Sequence, residues 1–156
     1  MPQEIERKFL IDLDLIDPLE NGFDIKQGYI ATTSRTVVRT RIMGNKAFLT
    51  IKGENKGISR LEFEYEIPLE DANNIISELC NGPIISKTRY IITHDRHDWE
   101  IDIFHGDNAG LVIAEVELSR EDESIIMPAW VTQEVSDDPK YYNSSLLDKP
   151  FSTWAK

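Results

Sequence analysis

Arg60-Leu61-Glu62-Phe63-Glu64-Tyr65-Glu66-Ile67 alternates charge with apolar bulk without a break. In a strand, side chains i and i+2 share a face. This stretch is therefore a strand with Arg60, Glu62, Glu64 and Glu66 on one side and Leu61, Phe63, Tyr65 and Ile67 on the other. The same period-two signal predicts strands over roughly 3–10, 25–32, 36–43, 46–53, 59–67, 86–93, 98–105 and 111–119. Short turn segments separate many of them: Gly44-Asn45, Gly53 to Gly57, His94 to Asp98 and Gly106 to Gly110. Connections this short predict antiparallel hairpins.

Two helices punctuate the strands. Pro68 opens the first, with Glu70 and Asp71 in the turn where the helix dipole favours acids. Leu69, Ala72, Ile76 and Leu79 share one of its faces, and Asn81-Gly82-Pro83 stops it. The second is expected near the C-terminus, with Asp138 as N-cap, Pro139 at the first position and Tyr142, Leu146 and Leu147 on an apolar side. A helical turn is also expected at Asp17-Pro18. The fold class is mainly β (α+β): one domain over 1–156, an eight-stranded antiparallel closed β-barrel tunnel with a few peripheral helices.

The chain has 156 residues, with 28 acids against 17 bases and a formal charge of -11. That balance argues against nucleic acid or an anionic membrane as partner. Cys80 is the single cysteine. No apolar run approaches the ~20 residues that span a bilayer, and the N-terminus does not read as a signal peptide. A cytoplasmic protein is expected.

The charged faces carry the chemistry. Seven of the eight predicted strands have one, filled almost purely by Lys, Arg, Glu and Asp. Like charges recur in i, i+2 pairs: Glu4/Glu6, Arg39/Arg41, Glu62/Glu64, Lys87/Arg89, Glu100/Asp102 and Glu115/Glu117. A solvated face would mix in more neutral polar residues, and like pairs repel. Paired carboxylates instead suit a hard divalent cation, which takes oxygen ligands. Paired Lys and Arg suit phosphate. If the barrel closes with these faces inward, acids can hold metal while bases hold a polyphosphate, and the acidic composition no longer conflicts with an anionic substrate.

Glu4-Ile5-Glu6-Arg7-Lys8 resembles the ExExK signature that opens the CYTH superfamily, the triphosphate tunnel metalloenzymes. Further segments match in family order: Val38-Arg39-Thr40-Arg41, Thr50-Ile51-Lys52-Gly53, Arg60-Leu61-Glu62-Phe63-Glu64, Lys87-Thr88-Arg89 and Ala114-Glu115-Val116-Glu117-Leu118. Gln27-Gly28-Tyr29 and the tail Glu134-Val135…Tyr141-Tyr142-Asn143 resemble small bacterial members. The resemblance implies a tunnel that binds a small-molecule triphosphate with Mg²⁺ or Mn²⁺, two ions when substrate is bound. It places Lys8, Arg39, Arg41, Lys52, Lys87 and Arg89 on the triphosphate, with Arg60 helping. It places Glu4, Glu6, Glu62, Glu64, Glu115 and Glu117 on metal, joined by Asp102. Glu4, Glu6, Lys8, Glu115 and Glu117 are the expected catalytic set.

Family activities include inorganic, thiamine and RNA triphosphatases and class IV adenylate cyclase. The compact length favours hydrolysis of inorganic triphosphate. Cyclase or thiamine triphosphatase chemistry on the same scaffold stays open, as does a non-catalytic barrel that binds polyphosphate or nucleotide. The expected reaction is in-line attack of water on a terminal phosphorus.

Several other residues read as structural. His94-Asp95-Arg96-His97-Asp98 reads as a turn, Trp99, Trp130 and Trp154 as packing anchors, Cys80 as a buried thiol, and Arg7 as one half of a salt bridge. The apolar outer face of such a barrel needs cover, from the helices or from a homodimer partner.

Overall fold

A computed structural model describes residues 1–155. Its strands are β1 (Gln3–Ile11), β2 (Phe23–Ile30), β3 (Val37–Met43), β4 (Lys46–Lys52), β5 (Ser59–Ile67), β6 (Asn81–His94), β7 (His97–Phe104), β8 (Val112–Glu117) and β9 (Val131–Glu134). The one α-helix, α1 (Leu69–Glu78), follows β5. The sheet runs β5-β4-β3-β2-β6-β7-β8-β1-β9, and a further β5–β1 pairing closes the first eight strands into an antiparallel barrel. That seam is short: Gln3, Glu4 and Ile5 face Leu61, Arg60 and Ser59. The eight strands read from the alternation are present.

Closure puts the charges inside and the apolar residues outside, so the hydrophobic cores lie against the outer wall. One core joins Ile5 and Phe9 of β1 to Trp99, Ile101, Ala114 and Val116 of β7 and β8, and Trp130 covers it. Trp130 meets Trp99 edge-on at 5.3 Å. The other joins Ile85, Phe104 and Ile113 to Val135, Tyr141 and Leu146 of the C-terminal segment. Burying each such large side chain contributes about 1.5–3 kcal/mol. The segment after β8 is therefore the cover that the barrel's apolar exterior requires. On α1, Ala72 and Ile76 are buried while Leu69 and Leu79 stay exposed, so only half of the expected apolar face packs.

Three details differ from the sequence reading. Near the C-terminus two 3₁₀ turns, Pro139–Tyr141 and Asn143–Leu147, replace a single helix. Asp138 caps the first through Lys140 N, with Pro139 at its start, but Tyr142 between the turns is extended (φ -70, ψ 135). Its ring faces the lumen beside Lys8, and that contact outweighs the helical pattern. The early turn lies at Leu13–Leu15, not at Asp17-Pro18, because Asp12 supplies the cap by accepting from Asp14 N. β9 has only four residues and too little alternation to be recognised; it pairs with Phe9, Leu10 and Ile11 on the edge of β1 that β5 leaves free.

Glycine matters most at one close approach. A Cβ on Gly28 of β2 would sit 2.7 Å from Cys80 Sγ. Cys80 itself is half-buried, and burial raises its thiol pKa. Arg7 donates to Glu134 at 2.6 Å outside the barrel, and residues 95–96 form the tight β6–β7 turn. Among the described residues, no helix is long and apolar enough to cross a membrane.

Candidate active site

The strand period decides what faces the lumen. β1 turns Glu4, Glu6 and Lys8 inward, β3 Arg39 and Arg41, β4 Lys52, and β5 Arg60, Glu62 and Glu64. β6 adds Lys87 and Arg89, β7 Glu100, and β8 Glu115 and Glu117. These fourteen side chains, seven basic and seven acidic, surround a cavity of ≈ 240 Å³. Formal charges cancel, and several of the groups, Lys8, Arg39, Lys52, Lys87, Arg89 and Glu115, are buried, so their interactions are stronger than at an open surface.

Two expected members stand apart. Glu66 is exposed and does not reach the cavity. Asp102 lies beneath the lining, with no solvent exposure. Its oxygens accept from Lys87 Nζ at 2.7 Å and from Arg89 Nε and Nη2 at 2.7 and 2.9 Å. As it stands, Asp102 is the counter-ion that fixes two lumen cations. Burial opposes its ionisation, but Lys87 and Arg89 hold its pKa below the usual value.

The other acids are arranged in twos. Glu4 and Glu62 hydrogen-bond to each other, and Lys52 Nζ lies 3.1 Å from Glu4 and 3.2 Å from Glu62. Burial raises Glu62, and the charge of Glu4 adds to that. Burial opposes ionisation of Glu4 too, yet Lys52 and the bond from Glu62 lower it. Glu6 and Glu115 form the second pair. Burial pushes Glu6 well up, and Glu115 and Glu4 push it further. Glu115 is held well down against its own burial by Lys8 and by the bond from Glu6. In each pair one carboxylate is pushed up and its neighbour held down, so the two titrate apart. Burial also raises Glu117, with Glu4 adding repulsion.

Two carboxylates facing one cavity offer the oxygen donors that a hard cation takes. Among the described residues, no group of three or more acidic, His or Cys side chains converges on one metal position. The donor chemistry of Glu4/Glu62 and Glu6/Glu115 fits a hard divalent cation.

The bases are less evenly satisfied. Arg41 forms no ion pair among the described residues; its Nε donates to Gln27 Oε1 at 2.9 Å. Burial, with Arg39 and Arg89 close by, lowers it to about 10. Arg39 Nε is buried without any hydrogen-bond partner. Lys8 Nζ donates to the Tyr141 carbonyl at 3.2 Å. Lys87 is lowered to about 7 by burial and by Arg89 and Arg41, against the attraction of Asp102. Arg39 Nη2 lies 3.6 Å from Glu64 and Lys87 is paired with Asp102, so among these three Arg41 is the base left without an acidic partner in contact, and such a cation favours an incoming anion.

The sequence reading missed part of the lining. Ser136, Tyr142, Asn143 and Ser144 of the C-terminal segment reach the lumen, as does Tyr29 of β2. Tyr29 and Gln27 pair with Arg39 and Arg41 across the β2–β3 ladder. That register was the signal available: the face of β2 with Gln27 and Tyr29 carries no charge, yet the parity of its neighbours points these two residues inward.

An eight-stranded antiparallel tunnel with a charged lumen and apolar outer cores defines the class. The chain belongs to the CYTH domain family, whose profile matches residues 2–146. It is 44% identical over 154 residues to an inorganic triphosphatase of Acetivibrio thermocellus, covering 99% of each chain. It is 34% identical to an inorganic triphosphatase of Nitrosomonas europaea, over 92% of this chain and 95% of that one. A solved structure of an inorganic triphosphatase superposes with a TM-score of 0.64 at 31% identity, covering 92% of this chain and 97% of that chain.

Proposed function

We propose that this chain hydrolyses a triphosphate inside the barrel, with inorganic triphosphate as substrate and a divalent cation, Mg²⁺ or Mn²⁺, as cofactor. The observation that carries the reading is the imbalance within the lumen. Arg41 forms no ion pair and Arg39 Nε has no hydrogen-bond partner, while Glu6 and Glu62 are each held above the usual carboxylate range by burial and by a neighbouring carboxylate. A polyanion satisfies the first and a hard cation the second. The full-length relatives named inorganic triphosphatase support the choice of substrate.

Glu4, Glu62, Glu6 and Glu115 would hold the cations, with Glu64 and Glu117 close by on the same wall. A divalent cation bound there supplies charge neutralisation on phosphate oxygens and lowers the pKa of an attacking water. Lys8, Arg39, Arg41, Lys52, Arg60, Lys87 and Arg89 bind the non-bridging oxygens from several sides. Asp102 keeps Lys87 and Arg89 extended from their strand, so these cations are oriented before substrate arrives. Water attacks the terminal phosphorus in line. The new P–O bond forms as the bridging P–O bond breaks, pyrophosphate leaves with the bond's electron pair, and the proton lost by the attacking water passes to solvent. The basic wall stabilises the charge on the leaving pyrophosphate.

The test is phosphate release from inorganic triphosphate, ATP and thiamine triphosphate in parallel, with Mg²⁺, Mn²⁺ or EDTA. The expected result is cation-dependent turnover of inorganic triphosphate, with little from the organic substrates. Cyclic AMP and pyrophosphate from ATP would replace this reading with a cyclase. Triphosphate binding without turnover would leave a binding protein.

A further inference from the structure

Gln27 has no solvent exposure, although it is neutral and polar and sits in the wall of a charged lumen. Its amide orientation is fixed by its neighbours. Arg41 has only donors, so the atom facing its Nε at 2.9 Å must be Oε1. The two Nε2 hydrogens then go to Tyr29 Oη at 2.8 Å and Asn143 Oδ1 at 3.3 Å. The Asn143 assignment agrees, since the same Oδ1 accepts from Lys87 Nζ at 2.9 Å. Two cationic donors, Arg41 and Lys87, thus lock a pair of amides between them.

The consequence falls on Tyr29. Its oxygen accepts from Gln27, so its own hydrogen is free to point elsewhere, and Tyr29 lines the cavity beside Arg39 and Arg41. We propose that Tyr29 is a neutral hydrogen-bond donor to a phosphate oxygen of the substrate, and that Gln27 is the positioning residue that aims it. This rests on the phosphate-binding role proposed for the lumen. The chemistry suits the place. A neutral donor adds a bond to an anion without adding another positive charge beside Arg39, Arg41 and Arg89, which already repel one another.

The test uses Tyr29→Phe, Gln27→Glu and the double variant, each first checked by thermal melting. Binding of inorganic triphosphate is measured by calorimetry in EDTA, and KM and kcat with Mg²⁺. Tyr29→Phe should weaken binding and raise KM about tenfold, the range for a lost bond to a charged group, with kcat within about twofold. In Gln27→Glu the introduced carboxylate accepts from Tyr29 and draws its hydrogen away from substrate. Adding Tyr29→Phe to that variant should then cost no more than about a further twofold. Losses that multiply in the double variant, or a Tyr29→Phe protein that binds like wild type, would overturn the inference. If Gln27→Glu does not fold, the Tyr29→Phe arm decides alone. Wild-type protein that neither binds nor hydrolyses triphosphate would instead overturn the proposed function.

Discussion

Two acid–base clusters in this barrel use the same residue types and do different things. At one, Lys87 and Arg89 hold Asp102 at 2.7 Å each, and Lys87 and Asp102 are 1% exposed. At the other, Lys52 bridges Glu4 and Glu62 at 3.1 and 3.2 Å, with those acids 14% and 25% exposed. In the closed cluster both Asp102 oxygens are already used, and Asp102 itself lies out of reach of the cavity. The open cluster has weaker bonds, an acid–acid contact and access to the cavity. Its members can change partners when a cation and a phosphate arrive. Charge pattern alone does not separate an anchor from a site; the number of bonds each carboxylate already makes does.

The largest effect expected from breaking this contrast is on the closed cluster. Asp102→Ala leaves two buried cations without their counter-ion, and losing one partner of such a network costs about 3–5 kcal/mol. Denaturant unfolding should show that loss. Stability within about 1 kcal/mol of wild type would mean that Asp102 is no anchor. The open cluster should respond the other way. Glu4→Gln, with Lys52 still holding Glu62, should reduce cation-dependent turnover by at least about 100-fold while the melting temperature moves by no more than about 5 °C. Full activity, or collapse of the fold, would remove the distinction.

A third prediction sharpens the comparison through protons. Glu6 has a folded pKa above its unfolded value, so its proton favours the folded state at low pH. That contribution is lost as pH rises through the folded pKa. Glu115 is depressed, so its contribution is present above the ordinary carboxylate range and is lost as pH falls. A cation that binds this pair favours the ionised form of Glu6 and so displaces the proton that its raised pKa favours. Mg²⁺ affinity should therefore rise with pH until Glu6 is ionised, and calorimetry in two buffers of different ionisation enthalpy should detect the released proton. Uptake, or no release, would argue against this pair as a cation site.

The smallest effect lies outside the barrel. Arg7 and Glu134 form a pair that is 24% and 38% exposed, so Arg7→Ala should cost about 0.2–1 kcal/mol, with kcat/KM unchanged. A large loss of activity there would show coupling across the wall that the lumen geometry does not require.

Much of this was legible in the sequence, because strand periodicity and charge carry it. Glu4, Arg39, Lys52, Glu62, Lys87 and Glu115 reach one cavity simply by facing the same way on strands that close. Less legible was everything that depends on contacts between distant segments. β9 is four residues whose partner lies more than a hundred positions away on β1. Tyr142 looked helical until Lys8 and the lumen claimed its ring. Asp102 reads like Glu115 along the chain. Only the packing of β6 against β7 shows that its oxygens are already occupied. Gln27 and Tyr29 carried no charge, so the charge pattern passed over them, although Gln27-Gly28-Tyr29 resembled a family segment and ladder parity places them among the arginines.

The most direct measurement is a crystal structure with Mn²⁺ and a non-hydrolysable triphosphate, read by the anomalous signal of manganese. The account predicts manganese at Glu4/Glu62 or Glu6/Glu115. Lys52 should have turned from those acids to phosphate oxygens, and Arg39 and Arg41 should be engaged by the anion. Manganese found only outside the lumen, or a triphosphate bound elsewhere with Lys52 still on Glu4 and Glu62, would contradict it.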